Sequence, residues 1–156
     1  MLQLTPQLLS DTKRREGFSL SVYPDSKGLP TQGFGQHTGV SFGDPDISEA
    51  TAEKWLAASL QNAYEDALEL FPGLDAMDDV RRGACLDLSY NMGQGTLSQF
   101  TPFIVAVNVG DWPTAALHLL VNTKGHVNPY TLQVGARAVD NAVRIASGIV
   151  PQEFKA

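Results

Sequence analysis

Glu16, Asp25 and Thr31 stand in REGFSLSVYPDSKGLPTQGFG, residues 15–35, as an acid, a second carboxylate and a hydroxyl at three separate backbone positions. Two carboxyls at a fixed separation are what acid/base cleavage of a sugar acetal requires. One stays protonated to give its proton to the leaving oxygen, and the other stays ionised to activate water or attack the sugar. Glu16 closes what reads as a helix and is followed by Gly17 and Phe18, so packing there would desolvate it, the condition that favours a protonated acid. Asp25, in a polar turn, would remain ionised at neutral pH, and Thr31 would hydrogen-bond the attacking water. The same residues also read as two surface acids beside a turn, and nothing within the stretch separates the two readings.

Other chemistries find less support. His37, His118 and His126 have no ligand spacing with one another or with Cys85, so no metal site is expected. No G-x-S-x-G, phosphate-binding loop or dinucleotide fingerprint occurs, and no cofactor is called for. Cys85, the single cysteine, cannot form an internal disulfide and reads as a core thiol within a helix. The two aspartates of GDPD, residues 43–46, lack the full calcium-loop pattern and read as a solvated turn.

The elements that must hold these residues follow from the hydrophobic pattern. Thr5 and Pro6 open a short helix from about Pro6 to Arg15 that ends at Gly17. From Phe18 to Val40 the period falls to two, with a turn over Tyr23 to Gly28 and a second strand in which Leu29, Thr31, Gly33 and Gly35 alternate. Glycine at alternate positions leaves that face bare, so a ligand or another backbone can approach closely; a weak hairpin with no ligand fits as well. Ser48 caps a long helix with the apolar stripe Trp55, Leu56, Leu60, Ala63, Ala67 and Leu70, stopped by Pro72-Gly73. Val80, Ala84, Leu88 and Met92 mark a central buried helix, Thr101-Pro102 and Asp111-Trp112-Pro113 open two more, and a last helix runs from about Val134 to Ala146. Residues 122–133 read as a loop, ordered or mobile. The fold class is α+β, predominantly helical, with one N-terminal hairpin.

At 156 residues with 43% hydrophobic and 18% charged residues, the chain fits one globular domain and no disulfide or metal is needed to hold it. A net charge of -6 argues against a nucleic-acid partner, because phosphate binding needs clustered Lys and Arg. No apolar run reaches the ~18 residues of a membrane span, so a soluble protein without stable membrane insertion is expected. The basic cluster of MLQLTPQLLSDTKRREG follows its apolar stretch, the reverse of a secretory signal, and no export signal is expected.

The spacing E-G-x(7)-D-x(5)-T-x-G-x-G, carried here by Glu16-Gly17, Asp25, Thr31, Gly33 and Gly35, resembles that of the phage-type lysozymes, the endolysins of tailed bacteriophages. RRGACLDLSYNMGQGTLSQF, residues 81–100, and GDWPTAALHLL, residues 110–120, are similar to two further blocks of that family. The resemblance implies a lysozyme-like two-lobed fold in a single catalytic domain spanning 1–156. Its β-containing lobe would cover about 17–47, its connecting helix about 48–71 and its helical lobe about 75–148 together with the N-terminal helix. It implies a muramidase that cleaves the β-1,4 bond between N-acetylmuramic acid and N-acetylglucosamine of peptidoglycan, with Glu16 as general acid, Asp25 assisting the water or the developing cation, and Thr31 orienting the water. Tyr90 and Asn91 fall at the family's aromatic-amide position and would contact sugar; the alternative is a helix end that packs on the next turn. His37 and His118 rank lower as substrate contacts, since either reads equally as a surface or satisfied histidine. Arg137 matches a basic residue of the family's last helix, whose place is beside the acid.

The chain also departs from the family pattern. Gln36 follows G-x-G where the family has His, residues 122–133 lack the usual Trp, and one Arg stands where many members carry two. These touch the substrate contacts more than the catalytic trio. Peptidoglycan glycan strands are the expected partner, the expected state is a monomer, and the expected place of action is the cell wall, reached after synthesis in the cytoplasm by release or secretion. An acidic protein is repelled by an anionic wall at low salt, so a basic patch, a second domain or a delivery machine is required. The rivals are a lytic transglycosylase, which needs no second carboxylate, and a non-catalytic peptidoglycan-binding module of a delivered toxin.

Overall fold

The computed structural model of the chain describes residues 5–151. Among these the elements run α1 (Pro6–Glu16), β1 (Ser19–Pro24), β2 (Pro30–Gly33), α2 (Glu49–Leu70), a 3-10 turn (Leu74–Ala76), α3 (Asp79–Met92), α4 (Gln94–Leu97), α5 (Thr101–Asn108), α6 (Trp112–Leu120), α7 (Pro129–Val134) and α8 (Ala136–Ser147). The helix-rich α+β composition agrees with the sequence pattern. The chain forms two units, one reaching to Gln61 and one beginning at Asn62.

In the first unit α1 starts as its sequence dictates: the Thr5 hydroxyl accepts the Leu8 N–H at 3.2 Å, and Gly17 closes the other end by donating its N–H to the Lys13 carbonyl. β1 and β2 pair antiparallel, with Ser19 opposite Gly33, Tyr23 opposite Thr31 and an irregularity between them. The second strand is shorter than its alternation suggests. It stops at Gly33 because Gln32 and Gln36 exchange backbone hydrogen bonds of 2.8 and 2.9 Å, folding Gly33, Phe34 and Gly35 into a tight turn. The buried Gln32 side chain fixes that turn, donating to the carbonyls of Leu20 at 2.7 Å and Pro45 at 2.9 Å. Phe34 is buried, stacks on Phe18 at 4.9 Å between centroids and lies beneath the Lys13 ammonium. Lys13 also pairs with Glu53 and Glu49 at the start of α2, tying helix, turn and helix together. Asp44 accepts the Ser41 N–H at 2.8 Å in an exposed turn, as GDPD suggests.

In the second unit α3 is the buried element. Asp78 caps it, accepting the N–H groups of Val80 and Arg81, and Ala84, Cys85, Leu86 and Leu88 are inaccessible alongside Phe71, Phe103, Leu119 and Ile145. Phe71 and Phe103 meet edge to face at 5.9 Å, a favoured arrangement for buried rings. Burial pushes the Cys85 thiol up to about 12, so it behaves as a small apolar group. Arg81 lies over Trp112 at 4.6 Å and donates to the Ile145 carbonyl at 2.8 Å and the Ala146 carbonyl at 3.2 Å, satisfying the end of α8.

Residues 122–133 are more ordered than their weak periodicity suggests. Val121 and Val127 form a β-bridge around a turn in which the Asn122 side chain accepts the N–H groups of Lys124 and His126, and α7 begins at Pro129. The signal was Asn128-Pro129: the Asn128 amide donates to the carbonyls of His118 and Leu119, each at 3.0 Å, so one side chain closes α6 just before proline opens α7. The last helix accordingly starts at Ala136.

Candidate active site

Each member of the trio is positioned by a different local device. Glu16 is the last residue of α1, half-buried, and its chain leaves the helix through Gly17 at φ 70°. Asp25 follows β1 and opens the turn to β2. Its Oδ1 accepts the N–H groups of Lys27 and Leu29, both at 2.8 Å, while its own N–H donates to the Leu29 carbonyl at 2.9 Å. These bonds favour the anion: the Leu29 N–H foremost, then the Lys27 N–H and the charges of Lys27 and His37, hold the carboxyl below its ordinary 3.8 against a partial desolvation. Thr31 is buried in β2 and its hydroxyl donates to the same Leu29 carbonyl at 3.1 Å.

The Leu29 peptide therefore couples Asp25 to Thr31. Its N–H fixes the carboxylate and its carbonyl accepts the threonine O–H, which leaves the threonine oxygen's lone pairs able to accept a hydrogen bond. The charge of His37 is the smallest of these influences on Asp25.

The glycines explain the rest of the motif. Gly33 has φ 64°, and a Cβ there would stand 3.0 Å from the Ala52 Cβ, so its bareness lets α2 approach the turn. Gly35 has φ 81°, and what lies against it is Glu16: a Cβ there would stand 3.1 Å from Oε2. The close approach that alternating glycine allows is thus made by a helix on one side and by the acid itself on the other.

The remaining residues picked from sequence lie in the second unit. Tyr90 is half-buried and Asn91 exposed in the last turn of α3. His118 is half-buried in α6, with its Nδ1 enclosed and without a hydrogen-bond partner among the described residues. Arg137, in α8, forms a two-pronged ion pair with the buried Asp87, Nε to Oδ2 at 3.0 Å and Nη2 to Oδ1 at 2.8 Å, and Asn141 donates to Oδ2 at 2.7 Å. Arg144 and Asp140 make a second buried pair one turn along, at 3.0 Å. Sequence reasoning did not select Asp87, Asn141, Gln32 or the Leu29 backbone. Asp87 carried a legible signal, since a charge inside the apolar stripe of α3 demands a partner; a backbone contact such as that of Leu29 leaves none.

An α+β fold with a carboxyl at a helix end, a second carboxylate in a hairpin turn and a threonine on the returning strand has the architecture of a lysozyme-like glycoside hydrolase. The family model for phage lysozyme matches residues 13–134. The chain belongs to the phage lysozyme family, whose members hydrolyse peptidoglycan, and its activity is of that class. Among curated proteins no sequence matches the chain significantly. Among the described residues no helix is long and apolar enough to cross a membrane.

Proposed function

We propose that this protein is an N-acetylmuramidase that cleaves the β-1,4 bond between N-acetylmuramic acid and N-acetylglucosamine and so lyses the bacterial cell wall. Glu16 gives its proton to the leaving glycosidic oxygen, Asp25 supplies a permanent anion to the water or to the developing cation, and Thr31 holds the water through its lone pairs. The observation that carries this reading is two carboxyls in unlike settings, one at the end of α1 against Gly35 and one in the turn between β1 and β2. Asp25 is kept ionised by two backbone N–H groups, while Glu16 sits half-buried against Gly35. A lytic transglycosylase has no need of a second carboxylate held as an anion, so the hydrolase is the better reading.

Tyr90, Asn91, His37 and His118 are proposed as sugar contacts and Arg137 as support for the acid, each on the family resemblance; alanine at a sugar contact is expected to raise KM with kcat held. The wall is the proposed place of action, reached through a membrane lesion or a secretion apparatus. The deciding experiment is clearing of a purified peptidoglycan suspension by wild type and by Glu16→Gln, which keeps the shape and removes the donor. Wild type is expected to clear with reducing ends as products and Glu16→Gln to be inert. Equal clearing by both removes the assignment, and anhydro-muramic ends would make the enzyme a transglycosylase.

A further inference from the structure

We infer that Gly35 is a positioning residue for the catalytic acid: the side chain it lacks is the seat in which the Glu16 carboxyl lies. The inference rests on the reading of Glu16 as proton donor and adds a residue to it. The three nearest atoms to a Cβ built on Gly35 all belong to Glu16, Oε2 at 3.1 Å, Cβ at 3.8 Å and Cδ at 4.0 Å, so the acid lies along the bare face of the glycine. Backbone conformation alone does not account for this. Gly39 has nearly the same φ, 77°, with nothing within 4 Å, and Gly33, at 64°, faces Ala52 and Ile47. Of these three left-handed glycines, one is open, one admits a helix and one admits the acid.

Neither partner can retreat freely. The turn carrying Gly35 is closed by the paired backbone bonds of Gln32 and Gln36, anchored by the Gln32 amide and pinned through Phe34 beneath Lys13. Glu16 is anchored where α1 ends, with the Gly17 N–H bound to the Lys13 carbonyl. A methyl at position 35 therefore meets the carboxyl oxygen and is accommodated only by a shift of a few tenths of an ångström between the two. Proton transfer depends on donor placement at that scale.

The test compares Gly35→Ala with Gly39→Ala, which imposes the same backbone demand in open space. Gly35→Ala is expected to lower kcat on solubilised peptidoglycan by about 10-fold or more with KM within about twofold. Gly39→Ala should keep kcat within about twofold. A structural readout accompanies this: the thermal midpoint lost on Gly35→Ala should exceed that lost on Gly39→Ala, and should shrink to the same size when Glu16 is already alanine. If Gly35→Ala alone does not fold, Glu16→Ala/Gly35→Ala should fold if the carboxyl is what the methyl meets; its failure to fold overturns the inference. Wild-type kcat in Gly35→Ala beside an inactive Glu16→Gln overturns the seat and leaves the function standing. Full activity of Glu16→Gln overturns both.

Discussion

Asp25 in the hairpin and Asp87 in α3 are both carboxylates fixed by several donors, yet the donors differ in kind and in what they cover. Asp25 is held through one oxygen by the backbone N–H groups of its own turn and lies near the surface. Asp87 is buried, with both oxygens taken by the Arg137 guanidinium and one shared with Asn141. Backbone donors to one oxygen stabilise an anion without enclosing it, which is what the role proposed for Asp25 requires. A bidentate arginine satisfies the anion completely and turns it into packing. The lesson is that fixation does not mark a site; what the fixing groups leave unoccupied does.

The largest effect is expected from Asp25→Asn. The amide oxygen can still accept the Lys27 and Leu29 N–H groups, so the hairpin should persist with only a small loss of thermal midpoint while the charge disappears. Peptidoglycan clearing should fall by about 10²-fold or more, the scale of a lost catalytic carboxylate. A variant that clears normally would make Asp25 as structural as Asp87.

The converse substitution, Asp87→Ala, strands Arg137 and Asn141 in a buried site and should cost about 3–5 kcal/mol in urea unfolding. The activity per folded molecule should fall much less than in Asp25→Asn. An unchanged unfolding midpoint would show that the pair is not what holds α3 and α8.

The smallest effect is in the pH dependence. The folded-state pKa of Asp25 lies below its ordinary 3.8, so the stabilisation its anion contributes is complete above that value and is lost as the pH falls through the lower folded value. The thermal midpoint of wild type relative to Asp25→Asn should hold steady down to about pH 4 and decline only below it. No decline below pH 4, or a rise as the pH falls, would mean that the turn does not favour the anion.

Much of this was legible in the chain, for reasons that differ by residue. Thr5-Pro6, Ser48 and Asp111-Trp112-Pro113 announce helix starts because caps and prolines act on their immediate neighbours, and the helices begin there. Cys85 was legible as core because the pattern around it repeats at helical spacing. Residues 122–133 were not: a two-residue signal, Asn128-Pro129, closes one helix and opens another, and too few apolar positions lie between to show a period. In the hairpin, strict alternation suggested a longer β2, but Gln32 found partners in Leu20 and Pro45 and folded the chain back at Gly33.

Neighbouring residues alone are enough to mark most helix starts and to set Glu16, Asp25, Thr31 and the two glycines at one family's spacing, because caps, periods and motifs are local. What each polar group bonds to is settled in three dimensions: Leu29 serves both Asp25 and Thr31, Arg137 and Asn141 occupy Asp87, and the bare face of Gly35 receives Glu16 while that of Gly33 receives α2. Those outcomes depend on which atoms meet in space, and a glycine reads the same in sequence whatever comes to rest against it.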